Sequence, residues 1–156
     1  MIDRFGLSPE AAKNLFHVTG IGICAKIDSM TENYHNQIEV DAQAFYIEEQ
    51  SEPEADRFVF AYTITINNTG KAPARLTHRH WHITDANGKV EEVHGEGVIG
   101  KQPYLKPGES FQYSSGTILE TPVGAMQGHY DMACDDGSHF EASVDPFTLS
   151  VPGSLN

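Results

Sequence analysis

The chain has 156 residues, with 22 acidic side chains against 10 basic ones and a formal net charge of -12. A field of that sign repels nucleic acid and anionic lipid and suits a basic partner or a cation. The length predicts one domain large enough to bury its own core. Two cysteines, Cys24 and Cys134, lie far apart with no C-x-x-C pair, so reduced thiols are expected rather than a disulfide framework or a cysteine zinc site. The apolar run near the amino end, "IGICAKI", is short and contains Lys26, which fits neither a membrane span nor a cleavable signal, and a cytoplasmic location is expected.

Residues 1–35 read as an N-terminal arm. Ser8 as N-cap, Pro9 at the first helical position and Glu10 in the first turn predict a short helix over 9–16, broken by Gly20 and Gly22. Met30 offers an alternative start. The domain proper is expected over 36–156, because from residue 37 onward the hydrophobic period is two, as half-buried strands require. In "QIEVDAQAFYI" Ile38, Val40, Ala42, Ala44 and Tyr46 share a side. In "RFVFAYTITIN" Phe58, Phe60, Tyr62, Ile64 and Ile66 face one way and Thr63, Thr65 and Asn67 the other. Between these two lies an acidic stretch, with Glu48, Glu49, Glu52, Glu54 and Asp56, read as a solvated loop. Turn chemistry at Asn68-Thr69-Gly70, Asp85-Ala86-Asn87-Gly88, Lys106-Pro107-Gly108-Glu109 and Asp135-Asp136-Gly137 punctuates further strands near 74–84, 89–98, 110–119, 124–134, 139–144 and 146–151. About eight short strands with such spacing predict an antiparallel sandwich rather than βαβ units.

Two patterns invite a functional reading. Gly95-x-Gly97-x-x-Gly100 has the spacing of a pyrophosphate cradle, which works because a helix N-terminus follows and points its free N–H groups at the phosphate. Here Pro103, Pro107 and Gly108 forbid that helix, and Glu96 puts a carboxylate where phosphate would sit. The glycines read as a bulge or a close backbone approach, with weak nucleotide or pyrophosphate binding as the alternative. The second pattern is His78, His80 and His82, which alternate along one strand and share a face. Adjacent members are near enough to bind one transition-metal ion, but three in a line do not complete a tetrahedron. A two- or four-residue loop at Asn87-Gly88 would put His94 on the opposite face, and the longer loop would bring Glu91 opposite His82. Leu76 shares the histidine parity, which predicts partial cover of that face. The face is therefore either a polar, pH-responsive strand surface or a metal site. Trp81, on the other parity, is expected in the core, with Arg79 at its rim or paired to an acid. Met126, Tyr130 and Met132 are also expected inside, with Gln127, His129 and Asp131 on the other parity. Ser114-Ser115-Gly116 lacks a nucleophile elbow, and no nucleophile and base pair by spacing. The loop around Tyr104, stiffened by Pro103 and Pro107, is a candidate partner-binding site together with Gly95, Gly97 and Gly100.

The segments "FVFAYTITINNTG", "RHWHITDANG", "EVHGEGVIGKQPYLKPGESFQYSSG", "TPVGAMQGHYDM" and "FTLSVP" resemble the ApaG family, in unbroken order from about residue 37 to the end. The resemblance implies an immunoglobulin-like or fibronectin type III-like all-β sandwich. It also implies a non-enzymatic binding module without cofactor, associated with cobalt resistance and magnesium efflux in bacteria and with substrate recognition in eukaryotes. Only Arg79-His80-Trp81 of the histidine stretch looks like a family motif; His78 and His82 look particular to this chain. The expectation is a domain that binds a protein partner, with direct transition-metal binding by His78, His80 and His82 as the alternative.

Overall fold

The computed structural model describes residues 37–154. The expected arm and its helix over 9–16 lie outside the described residues. Within them the fold is all β: β1 (Ile38–Tyr46), β2 (Phe58–Asn68), β3 (Ala74–Asp85), β4 (Val90–Glu96), β5 (Tyr104–Leu105), β6 (Ser110–Leu119), β7 (Val123–Cys134) and β8 (His139–Ser150), with only two 3-10 turns, at Glu48–Gln50 and Pro53–Ala55. One sheet has the order β1-β2-β6 and the other β4-β3-β7-β8, with β5 pairing to β3; every pairing is antiparallel. This is the expected immunoglobulin-like, fibronectin type III-like sandwich.

The core follows the period-two faces. Phe60, Ile64 and Ile66 of β2 meet Leu76, Trp81, Met126, Tyr130 and Met132 of the other sheet, all essentially excluded from solvent. Trp81 sits at the centre, with Tyr62, Tyr130 and Phe147 packed edge-on or tilted against it at ring separations of 5.8, 5.9 and 6.0 Å, the geometry that ring quadrupoles favour. Tyr113 and Tyr130 join the sheets through their hydroxyls, 2.5 Å apart and buried. The acidic stretch over 48–56 is exposed, as expected, and is pinned by Ser51, which accepts from the Val59 N–H and donates to the Ile47 carbonyl.

Four features depart from the expectations. The candidates 139–144 and 146–151 are one strand, β8; Pro146 falls where the β7–β8 register shifts between Met126 and Gly128, so its missing N–H costs no ladder bond. The two-residue strand β5 was not foreseen. A bulge between Leu76 and His78 lets Leu76 enter the core although it shares the histidines' sequence parity. Cys134 is disulfide-bonded rather than a free thiol. No helix among the described residues is long and apolar enough to cross a membrane.

Candidate functional site: a histidine and carboxylate cluster across three strands

The hairpin between β3 and β4 determines which histidines meet. The buried carboxylate of Asp85 accepts the N–H groups of Asn87 and Lys89, both at 2.9 Å, while the Asp85 N–H bonds the Lys89 carbonyl. Those bonds close a loop of three residues, Ala86 to Gly88, with Gly88 at φ 85°. An odd loop reverses the expected parity. His94 stands directly opposite His80, Glu92 opposite His82 and Glu91 opposite Ile83. On the other side of β3, His80 pairs with His129 of β7. His94, His80 and His129 thus form a row across three neighbouring strands on the outer face of the larger sheet.

The rings are in close contact. His80 stacks on His129 at 4.4 Å with planes 19° apart, and meets His94 edge-on at 4.6 Å. The Nδ1 atoms of His80 and His94 are 2.5 Å apart. On its other side His80 Nε2 lies 2.9 Å from Asp131 Oδ2, and His129 Nε2 lies 3.5 Å from both Asp131 Oδ1 and Glu141 Oε2. His80, His129 and Asp131, all half-buried, can each offer one donor atom, and those atoms lie within 4.8 Å of one another. Ligand atoms about 2.0–2.1 Å from a tetrahedral ion are separated by roughly 3.3 Å, a spacing that lies inside the 4.8 Å limit of this group. If His80 binds through Nε2, its Nδ1 faces His94, the second partner that fixes a ligand's tautomer.

The approach of β7 to β3 depends on Gly128. A Cβ there would stand 1.9 Å from the His80 carbonyl oxygen and 3.1 Å from the Trp81 Cα. Because these are backbone atoms, no side-chain rotation relieves the contact, and only glycine lets His129 reach His80.

Of the histidines singled out from the sequence, only His80 joins this group. His78 and His82 are exposed on the same face; His78 stands opposite Asp131 and Glu96, and His82 Nε2 is 3.5 Å from Glu92 Oε1. His129, Asp131 and His94 were missed as partners. The signal that could have found two of them is His129-x-Asp131, a ligand pair of one parity on a strand next to β3.

The expected partner loop is strapped to the scaffold. Val98 and Lys101 exchange backbone bonds of 2.8 and 2.9 Å around Ile99 and Gly100, whose φ values of 44° and 77° are those of a tight type I′ turn. Ile99, a β-branched residue in the left-handed region, is 55% exposed at the tip. Gly97, at φ 65°, is buried and donates its N–H to the Thr77 carbonyl. Gly95 stands opposite Arg79, whose guanidinium lies where a Cβ would be and whose Nη1 donates to the carbonyls of Glu96 and Gly97 at 3.2 and 2.9 Å. Arg79 therefore sits at the rim and bonds carbonyls rather than an acid. The amides and carbonyls of this motif serve these turns, in agreement with the close-approach reading of the glycines, whereas the expected bulge is absent: the β3–β4 register runs unshifted through Gly95. Half-buried Pro103 offers its carbonyl to the Leu76 N–H. Tyr104 lies under Arg75, 5.0 Å from ring centre to guanidinium, and donates its hydroxyl to Asp135, which raises its pKa above the ordinary tyrosine value.

Fold and site together define an antiparallel β-sandwich domain carrying a histidine and carboxylate cluster on one outer sheet face. The ApaG domain (DUF525) family model matches residues 48–134. Protein ApaG of Xylella fastidiosa strain M12 is 57% identical over 127 residues, 81% of this chain and all of that protein; Protein ApaG of Pseudomonas fluorescens strain Pf0-1 is 55% identical over 120 residues, 77% and 95% of the two chains. Among solved structures, a structural-genomics X-ray structure is similar with a TM-score of 0.74 at 50% identity, covering 78% of this chain and 92% of that one. A crystal structure of a Bordetella pertussis protein is similar at TM-score 0.73 and 45% identity, covering 75% and 95%. The chain belongs to the ApaG family.

Proposed function

We propose that this ApaG-family chain is a non-enzymatic binding domain that takes up a divalent transition-metal ion on the outer face of its larger sheet, with His80, His129 and Asp131 as ligands and His94 orienting His80. The observation that carries the reading is the convergence of two imidazoles and one carboxylate, from adjacent strands, at spacings a single ion can span. Two nitrogen donors and one oxygen suit Co²⁺, Ni²⁺ or Zn²⁺, whereas Mg²⁺ prefers oxygen ligands and retained waters. This agrees with the cobalt association that the family resemblance implies. A Co²⁺ titration followed by calorimetry tests it. One saturable site is expected, weakened at least tenfold in His129→Ala and in Asp131→Asn, retained in a His78→Ala/His82→Ala double variant, and not displaced by excess Mg²⁺. Full affinity in His129→Ala, or loss confined to the double variant, would overturn the assignment.

A second reading keeps recognition of a protein partner by the sandwich-end loops 95–108 and 121–125. It is favoured by the exposed apolar tip at Ile99, held on a turn too short to flex freely. A partner captured by the wild type, lost with Tyr104→Ala and kept with His80→Ala supports it; a partner insensitive to Tyr104→Ala and Ile99→Gly removes it.

A further inference from the structure

The sandwich is not closed equally at its two sides. β1 packs against β8 along one side, while on the other β6 and β4 each pair with a single neighbour among the described residues and leave the sheets parted. A cleft of about 600 Å³ opens there. Ligand pockets for small molecules generally fall between 300 and 1,000 Å³. A smaller hollow, sharing Ile83, Glu91 and Ile118 with the cleft, extends it toward the Lys89–Glu120 ion pair, whose charged atoms are 3.1 Å apart.

The wall chemistry is unlike the rest of the molecule. In a chain with net charge -12, the cleft presents two guanidinium groups, Arg57 and Arg79, against one carboxylate, Glu91. Among the described residues neither arginine has a carboxylate partner, and each donates to backbone carbonyls, Arg57 to Gln50 and Arg79 to Glu96 and Gly97. Arg79 keeps further donors in hand, since a guanidinium carries five. Val93 and Ile118 supply apolar surface, and Ile118 is half exposed at the mouth. Trp81 also lines the cleft. Its side chain is 98% excluded from solvent, yet its indole N–H has no hydrogen-bond acceptor among the described residues.

We propose that this cleft binds a small organic anion, one carboxylate, sulfonate or phosphate group on an apolar body of about the size of a fused aromatic ring system. The anionic group sits at Arg57 and Arg79, and the body lies along Trp81, Val93 and Ile118. The site is separate from the histidine cluster, which occupies the outer face of the same sheet. A metal ion does not suit the cleft, because two guanidinium groups repel it. A nucleic acid is refused by the charge of the whole molecule.

Trp81 is the sole tryptophan, so its emission reports on the cleft directly. The probe is 8-anilinonaphthalene-1-sulfonate, an aromatic anion, compared with the neutral N-phenyl-1-naphthylamine. Saturable quenching of Trp81 to a single site is expected, with the neutral compound at least tenfold weaker. Arg57 is exposed, so Arg57→Glu leaves the core intact and is expected to weaken the anion at least tenfold. Glu91→Gln removes the opposing charge and is expected to tighten binding several-fold, a gain that misfolding does not produce. His80→Ala is expected to change nothing. Absent or non-saturating quenching overturns the proposal, as does equal affinity for the charged and neutral probes with no response to Arg57→Glu or Glu91→Gln.

Discussion

Gly95→Ala is the most instructive single substitution in the glycine motif. Gly95 has no positive φ, so alanine is not strained there by its backbone. The added Cβ would instead stand 2.5–2.7 Å from three atoms of the Arg79 guanidinium, which must swing away. Doing so gives up its two bonds to the carbonyls of Glu96 and Gly97. Hydrogen bonds to charged groups are worth about 1.5–3 kcal/mol each, and partial exposure at this rim reduces that by about half. Against the loss stands about 0.5–1 kcal/mol that alanine gains over glycine within a strand. The net expectation is a destabilisation of about 1–2 kcal/mol, read as a lower urea midpoint at unchanged slope and a fall in Tm of roughly 2–8 °C. In an Arg79→Ala background the same substitution should be neutral or stabilising, so the double-mutant cycle should return a coupling of at least about 1 kcal/mol. Gly95→Ala as stable as the wild type, or strictly additive with Arg79→Ala, would refute the account of why glycine stands there.

Three further outcomes are expected. Gly128→Ala forces β7 away from β3 against backbone atoms, so it should cost more than about 3 kcal/mol in urea unfolding or, if the strands yield, lower Co²⁺ affinity at least tenfold while leaving Trp81 buried. Asp85→Ala strands two backbone N–H groups and should destabilise by about 1–3 kcal/mol in the same assay, with cross-peaks between His80 and His94 weakened in NMR because the odd loop no longer holds its register. Burial raises the pKa of Tyr62, Tyr113 and Tyr130, in the last case with the neighbouring Tyr113 adding to it. The folded state then keeps protons that the unfolded chain releases near pH 10, so stability should be flat below that value and fall above it, by up to about 1.4 kcal/mol per pH unit for each tyrosine. Urea midpoints between pH 8 and 11 check this, and Tyr113→Phe/Tyr130→Phe should flatten the decline.

The sandwich was legible in the sequence because burial on one face of a strand writes itself as alternation. Phe58 to Ile66 on β2 and Met126 to Met132 on β7 show it without ambiguity, and Trp81 falls in the core as its parity requires. What alternation does not carry is pairing. The bulge after Leu76 and the register shift opposite Pro146 each change parity by one; period counting sees the switch as conflicting parity or as a break between two strands, not as one continuous strand. The β3–β4 loop length was decided by where the Asp85 carboxylate finds N–H donors, not by Asn87-Gly88 alone, and that single residue moved His94 from one face to the other. The metal candidates suffered for the same reason. His78, His80 and His82 do share a face, yet consecutive members on one strand diverge, whereas His94, His80 and His129 on neighbouring strands stand side by side. The close approach at the glycine motif is legible in its spacing, while the guanidinium of Arg79 lying over Gly95 is beyond the reach of sequence spacing.

The most direct test of the metal site is an anomalous difference map collected at the cobalt edge from crystals of the full chain soaked in Co²⁺. One peak is expected about 2.0–2.2 Å from His80 Nε2, His129 Nε2 and an Asp131 carboxylate oxygen, and none in crystals of His129→Ala. A peak instead between His78 and His82 or on the exposed acids of 48–56, or no ordered cobalt at all, would contradict the assignment.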